Sequence, residues 1–204
     1  MGPPGVGKGT QAKILSKTLN VTHLSTGEIL RHEIKMNTKI GKIAKSFIDH
    51  GNFVPDKLVL DIISEKISIK ISNEGYLFDG FPRTIPQAVA LSEICEVSHV
   101  IAIEVPDERI VERICGRYTC VSCGSVYHDT FKPTQSVGQC DNCESTDFSR
   151  RADDNEDTVN SRMSAYHEQT SPLANWYDEK GIFHRIDGDR GIDEITSDIL
   201  NALR

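Results

Sequence analysis

Gly2-Pro3-Pro4-Gly5-Val6-Gly7-Lys8-Gly9-Thr10 stands at the head of the chain, and no other stretch limits the fold so tightly. Glycines at 2, 5, 7 and 9 remove Cβ atoms where a backbone must wrap a polyphosphate, so successive N–H groups can converge on an anion. Lys8 adds a point charge for the terminal phosphates. Ile14, Leu15 and Leu19 follow at helical spacing, so the loop feeds a helix whose N-terminal dipole also favours anions. The pattern is G-x-x-x-x-G-K, with Gly9 where the general motif places Ser or Thr. Gly5 to Thr10 are therefore candidate phosphate-binding residues. Such a loop hangs from the C-terminal end of a buried parallel strand, and only Met1 precedes Gly2. The expectation is a sequence that starts at an internal methionine and a sheet that lacks its first strand. Neighbouring strands then face an empty slot with unpaired backbone groups, each costing about 1–3 kcal/mol if buried.

Beyond the loop, short apolar runs alternate with helical segments. Gly75–Asp79, Val100–Val105 and Ile182–Ile186 each end at turn residues and read as buried parallel strands. His23-Leu24-Ser25 is a shorter extended piece. Helices are expected over 10–19, in a hairpin from Thr26 to about Gly51, from Pro55 through Ile67, around 155–180 and over 192–203. Alternation of this kind predicts an α/β fold with a parallel sheet and helices on both faces.

Residues 116–153 break the alternation. Cys120-x-x-Cys123 and Cys140-x-x-Cys143 have the short internal spacing that lets four thiolates hold one tetrahedral ion, with Zn2+ the leading candidate. Four sulfurs close the coordination shell, which makes the metal structural and lets it substitute for a core the insertion is too small to build. Two redox-active dithiols are the competing reading, opposed by the absence of a thioredoxin-like helix start. A zinc ribbon can also bind nucleic acid. Against that stand 23 Lys+Arg and 30 Asp+Glu, a net charge of -7, which offers no broad basic surface to nucleic acid or an anionic membrane. No apolar run is long enough to span a bilayer and no signal peptide is evident, so a cytoplasmic protein is expected.

Asp79-Gly80-Phe81-Pro82-Arg83 lies just past a strand C-terminus, the edge where α/β sheets bind ligands. Asp79 can orient Mg2+ through water there. Arg31, Arg83, Arg117, Arg151 and Arg162 have the planar fork that suits bidentate phosphate binding.

These segments carry a resemblance. The loop with glycine after its lysine, Ser25-Thr26-Gly27-Glu28-Ile29-Leu30-Arg31, Asp79 to Arg83 with Gln87, Arg113-Ile114-Cys115-Gly116-Arg117, Arg151-Ala152-Asp153-Asp154 and Arg162 resemble, in order along the chain, the adenylate kinases of the long-lid, zinc-containing form. The resemblance implies phosphoryl transfer between MgATP and AMP. It gives ATP the loop with Arg113, Arg117 and the carbonyl of Arg190. It gives AMP the residues Thr26, Arg31, Val54, Gly80, Arg83, Gln87, Arg151 and Arg162. Lys8, Arg83, Arg117, Arg151 and Arg162 would carry catalysis. It also divides the chain into a core of 1–24, 55–115 and 154–204, a helical AMP-binding insertion of 25–54 and a zinc lid of 116–153, in a monomer. A same-fold kinase using another donor or acceptor, or a zinc-ribbon nucleic-acid binder with a vestigial nucleotide site, is the alternative.

Overall fold

The computed structural model describes residues 1–69 and 75–204. The phosphate loop runs into helix α1, Lys8–Thr18, then strand β1, Thr22–Ser25. Helices α2, Thr26–Lys35, and α3, Lys39–Ile48, form the expected hairpin. Each starts where a short hydroxyl side chain can cap it. Ser25 accepts from the Glu28 N–H at 3.4 Å and Thr38 from the Gly41 N–H at 3.0 Å. Gly41 is also where the two helices meet, since a Cβ there would lie 2.1 Å from the Glu33 carbonyl oxygen.

Helix α4, Asp56–Ile69, leads to β2, Tyr76–Asp79, then α5, Ile85–Ile94, and β3, Val100–Glu104. After a short 3-10 turn and α6, Ile110–Cys115, comes a three-stranded antiparallel sheet of β4, Arg117–Cys120, β5, Val126–His128, and β6, Phe148–Ser149. The single helix expected over 155–180 is two, α7, Glu156–Ala165, and α8, Leu173–Asp178. A π-helical turn and Pro172 separate them, because proline removes a helix donor and crowds the preceding turn. Strand β7, Phe183–Asp187, and helix α9, Ile192–Ala202, complete the order.

The parallel strands fall into two pairs. β1 lies on β2, with Ser25 opposite Asp79, and β3 lies on β7, with Glu104 opposite Asp187. Between the described strands no ladder joins the pairs. Met1 takes up the free edge of β3, its amino group donating to Ile101 O and its carbonyl accepting from the Ile103 N–H at 3.1 Å. Burial, reinforced by the Lys8 charge, lowers the pKa of that amino group to about 5. β2, expected as a buried strand, is only half-buried throughout: it pairs with β1 on one edge, and Leu77 and Phe78 border a large cavity.

Two apolar clusters position the site. Val6, Leu15, Ile103, Ile110, Ile114 and Ile199 pack behind the phosphate loop. Leu30, Ala44, Val54, Val59, Ile63 and Phe81 join the helical hairpin to α4 and α5. Leu19, expected on the buried face of α1, is 40% exposed, since it lies just beyond the last helical residue.

Candidate active site

A cavity of about 1030 Å³ runs from the phosphate loop past the C-terminal ends of β1 and β2 to the cysteine-bearing sheet. Its floor is the loop. Gly5 has φ +81°, and a Cβ there would lie 2.6 Å from Ile114 Cγ1, so the loop can sit this low on α6 only with glycine. Lys8 Nζ bridges back to the carbonyls of Gly2 at 2.8 Å and Pro3 at 2.6 Å. Removal from water and the neighbouring arginines lower its pKa to about 7, against the opposing pull of Asp79. Asp79 closes β2 beside it. Burial would raise that carboxyl, but His23, 3.6 Å away, and Lys8 hold it down at about 2. It is therefore ionised throughout the physiological range.

Seven arginines line the same cavity, among them Arg31, Arg83, Arg117, Arg151 and Arg162. Arg117 sits in a two-pronged bond to Asp154, Nε to Oδ2 at 2.8 Å and Nη2 to Oδ1 at 2.5 Å. Arg162 Nη1 donates to the Asp153 carboxylate at 3.1 Å. The Asp154 side chain is 2% exposed, so the pair is fixed from within. Arg83 donates from Nε to the Gly80 carbonyl at 2.7 Å and lies 5.1 Å from the centre of the Phe53 ring. Among the described residues, the side chains of Arg31 and Arg151 make no hydrogen bond or ion pair. Burial, then like charge from neighbouring guanidiniums, lowers Arg83 to about 10 and Arg151 to about 9 and shifts Arg31 and Arg162 in the same direction. Cations crowded in this way form a site suited to a polyanion.

At the far end, Arg113 donates to the Gly188 carbonyl at 3.0 Å and to Asp189 at 2.8 Å. The Arg190 side chain turns outward to Asp187 and Asp198, and the residue lines the cavity beside Gly188. At the other end, Thr26 donates to the Gly80 carbonyl at 2.9 Å.

The four cysteines form one cluster, with all Sγ atoms within 4.8 Å of one another. Cys120 and Cys143 are 3.6 Å apart, Cys123 and Cys140 3.5 Å. A tetrahedral ion with Zn–S of about 2.3 Å needs sulfurs about 3.8 Å apart, so the cluster fits zinc. The two halves also fold alike. The carbonyl of Cys120 accepts from Gly124 and that of Cys140 from Glu144, and the amides of the same two cysteines donate to Ser125 and Ser145. These matching turns, not a helix start, present the thiols.

A profile described as that of adenylate kinase matches residues 1–182. The chain belongs to the adenylate kinase family. It is 44% identical to the adenylate kinase of Desulforamulus reducens over 209 residues, covering 100% of this chain and 98% of that protein. It is 47% identical to that of Paramagnetospirillum magneticum and 45% to that of Methanocella arvoryzae, each over 208 residues, all of this chain and 96% of the relative.

Within this family fold, the structure brings together Lys8, Asp79, Arg31, Arg83, Arg113, Arg117, Arg151, Arg162 and Arg190 around one cavity. Thr26, Val54 and Gln87 are set behind it, at 4%, 6% and 2% exposure. Sequence reasoning missed Phe53 under Arg83, and it gave no role to Asp153 and Asp154, whose partners lie 8 to 37 positions away. A pair of acidic residues two positions after Arg151 was the signal available.

Proposed function

We propose that this chain transfers a phosphoryl group reversibly from MgATP to AMP, giving two ADP, with the residues in the roles the family resemblance implies. One observation carries the assignment of roles: Lys8 and four arginines, Arg83, Arg117, Arg151 and Arg162, converge on a single cavity beside an ionised carboxylate. The acceptor is already a phosphate oxygen, so no general base is required, and the protein's task is alignment and charge neutralisation. Lys8 and the amides of Gly5 to Thr10 hold the donor phosphates. Arg117, Arg151 and Arg162 neutralise the moving group, and Arg83 with Arg31 holds the acceptor phosphate. Arg113 and the Arg190 carbonyl flank the donor base, while Thr26, Val54, Gly80 and Gln87 surround the acceptor base. Asp79 would hold the Mg2+ that arrives with the nucleotide, and the ion would supply neutralisation of phosphate charge.

Water competes with AMP, so residues 25–54 and 116–153 close over both nucleotides before transfer. Zn2+ held by Cys120, Cys123, Cys140 and Cys143 stiffens the second of these pieces. Thr26 favours AMP over pyrimidine monophosphates. Among the described residues no helix is long and apolar enough to cross a membrane, and we read the protein as a cytoplasmic monomer acting on free nucleotides, not nucleic acid. The test is ADP formation by the purified chain with ATP, AMP and Mg2+. Turnover that needs all three is expected. A folded protein that binds both nucleotides and makes no ADP would overturn the assignment.

A further inference from the structure

The amide of Gln87 is held in one orientation by two partners that admit no other. Its Oε1 accepts from the Arg83 backbone N–H at 2.8 Å, and its Nε2 donates to Asp56 Oδ1 at 2.7 Å. A backbone N–H only donates and a carboxylate only accepts. Turning the amide over would set donor against donor and acceptor against acceptor, so its polarity follows from partner chemistry alone. Asp56 is anchored in turn. Its Oδ2 accepts from Thr84 Oγ1 at 2.9 Å, and Thr84 caps the first turn of α5, three residues before Gln87.

We propose that Asp56 is a positioning residue for base choice at the acceptor site, acting by fixing which end of the Gln87 amide donates and which accepts. This rests on the reading of Gln87 as part of the AMP site. With one N–H and one lone pair already engaged, the amide has one of each left. Adenine offers an acceptor at N1 and a donor at its 6-amino group. Hypoxanthine offers the reverse, a donor at N1–H and an acceptor at O6. An amide free to turn over can satisfy either base. A locked amide sets like against like on hypoxanthine, and unpaired buried polar groups are how a site rejects a near-isosteric substrate.

The experiment compares kcat/KM for AMP and IMP, with ATP as donor, in the wild type, Asp56→Ala, Asp56→Asn and Gln87→Met. Asp56→Ala removes the acceptor that holds Nε2, and the AMP:IMP ratio is expected to fall about tenfold, the scale of one hydrogen bond to a charged group. KM for ATP should stay at the wild-type value. Asp56→Asn can still turn an oxygen toward Gln87 and should restore the ratio. A proportional loss for AMP and IMP in Asp56→Ala would mark a merely structural role and overturn the proposal, as would an Asn variant no better than Ala. Wild-type AMP kinetics in Gln87→Met would instead overturn the placement of Gln87. Should Asp56→Ala not fold, hydrogen exchange at the wild-type Gln87 side-chain amide decides. One slowly exchanging proton is expected, and two equally fast ones would overturn the lock.

Discussion

The two pieces that flank the cavity, the helical hairpin and the cysteine-bearing sheet, are built on opposite principles. In the hairpin, Leu30 and Ala44 belong to one apolar cluster with Val54, Val59, Ile62 and Ile63, so its hold on the rest of the chain comes from buried hydrocarbon. In the sheet, the buried cluster is Cys120, Tyr127 and Cys140, with Tyr118 and Phe148 against it. Two of its three members are the proposed metal ligands. Cohesion there hangs on a few cysteines and three packed rings, Tyr118 stacked on Tyr127 and Phe148 edge-on to both, with ring centres 5.4 to 5.9 Å apart. A moving piece can thus be kept rigid either by sharing the core or by carrying its own substitute for one.

The sharpest way to break this contrast is to remove the metal ligands. Structural zinc contributes on the order of 10 kcal/mol or more to small zinc domains, so Cys120→Ser with Cys123→Ser is expected to make the sheet far easier to melt while leaving it folded at low temperature. Calorimetry should show a large loss of thermal stability, and turnover at low temperature should fall far less. Equal losses of both in a still-folded variant would contradict the division of labour. Leu30→Ala comes next, at about 2–5 kcal/mol for a buried leucine, read by urea unfolding. That loss should be the same with and without a chelator, and a chelator-dependent loss would erase the distinction between the two pieces. The smallest effect belongs to Lys13 on α1, where the pieces meet. Its ammonium donates to the Gly124 carbonyl of the sheet at 3.1 Å and pairs with Glu28 of the hairpin at 3.2 Å, with the two side chains 40% and 49% exposed. Lys13→Ala should cost under about 1 kcal/mol, appearing as a small rise in KM for both nucleotides and a fall of at most about 4 °C in melting temperature.

What the sequence disclosed was local. The loop, the cysteine spacing and the strand ends are written within a few consecutive residues, and the structure has them at the expected places. What it withheld depends on partners far away. The half-burial of β2 depends on what lies beside its free edge. The break after α7 required weighing Pro172 against a helical pattern on both sides of it. The bond from Asp56 to Gln87 spans 31 positions and joins the first turns of two helices, which no periodicity marks. The carboxylates of Asp153 and Asp154 could be read as surface charge until the fold brought Arg117 and Arg162 to them. Burial that depends on a partner distant in sequence is what composition and spacing cannot anticipate.

Those two carboxylates also bear on how the site is aimed. Asp154 takes Nε and Nη2 of Arg117, and Asp153 takes Nη1 of Arg162, so each guanidinium is held by one edge while its remaining N–H groups stay available. Under the proposed roles a phosphate meets donors that are already ordered, and less side-chain freedom is lost when it binds. The acids act as a mount for the bases: they give up some of the positive charge of the site and supply its direction.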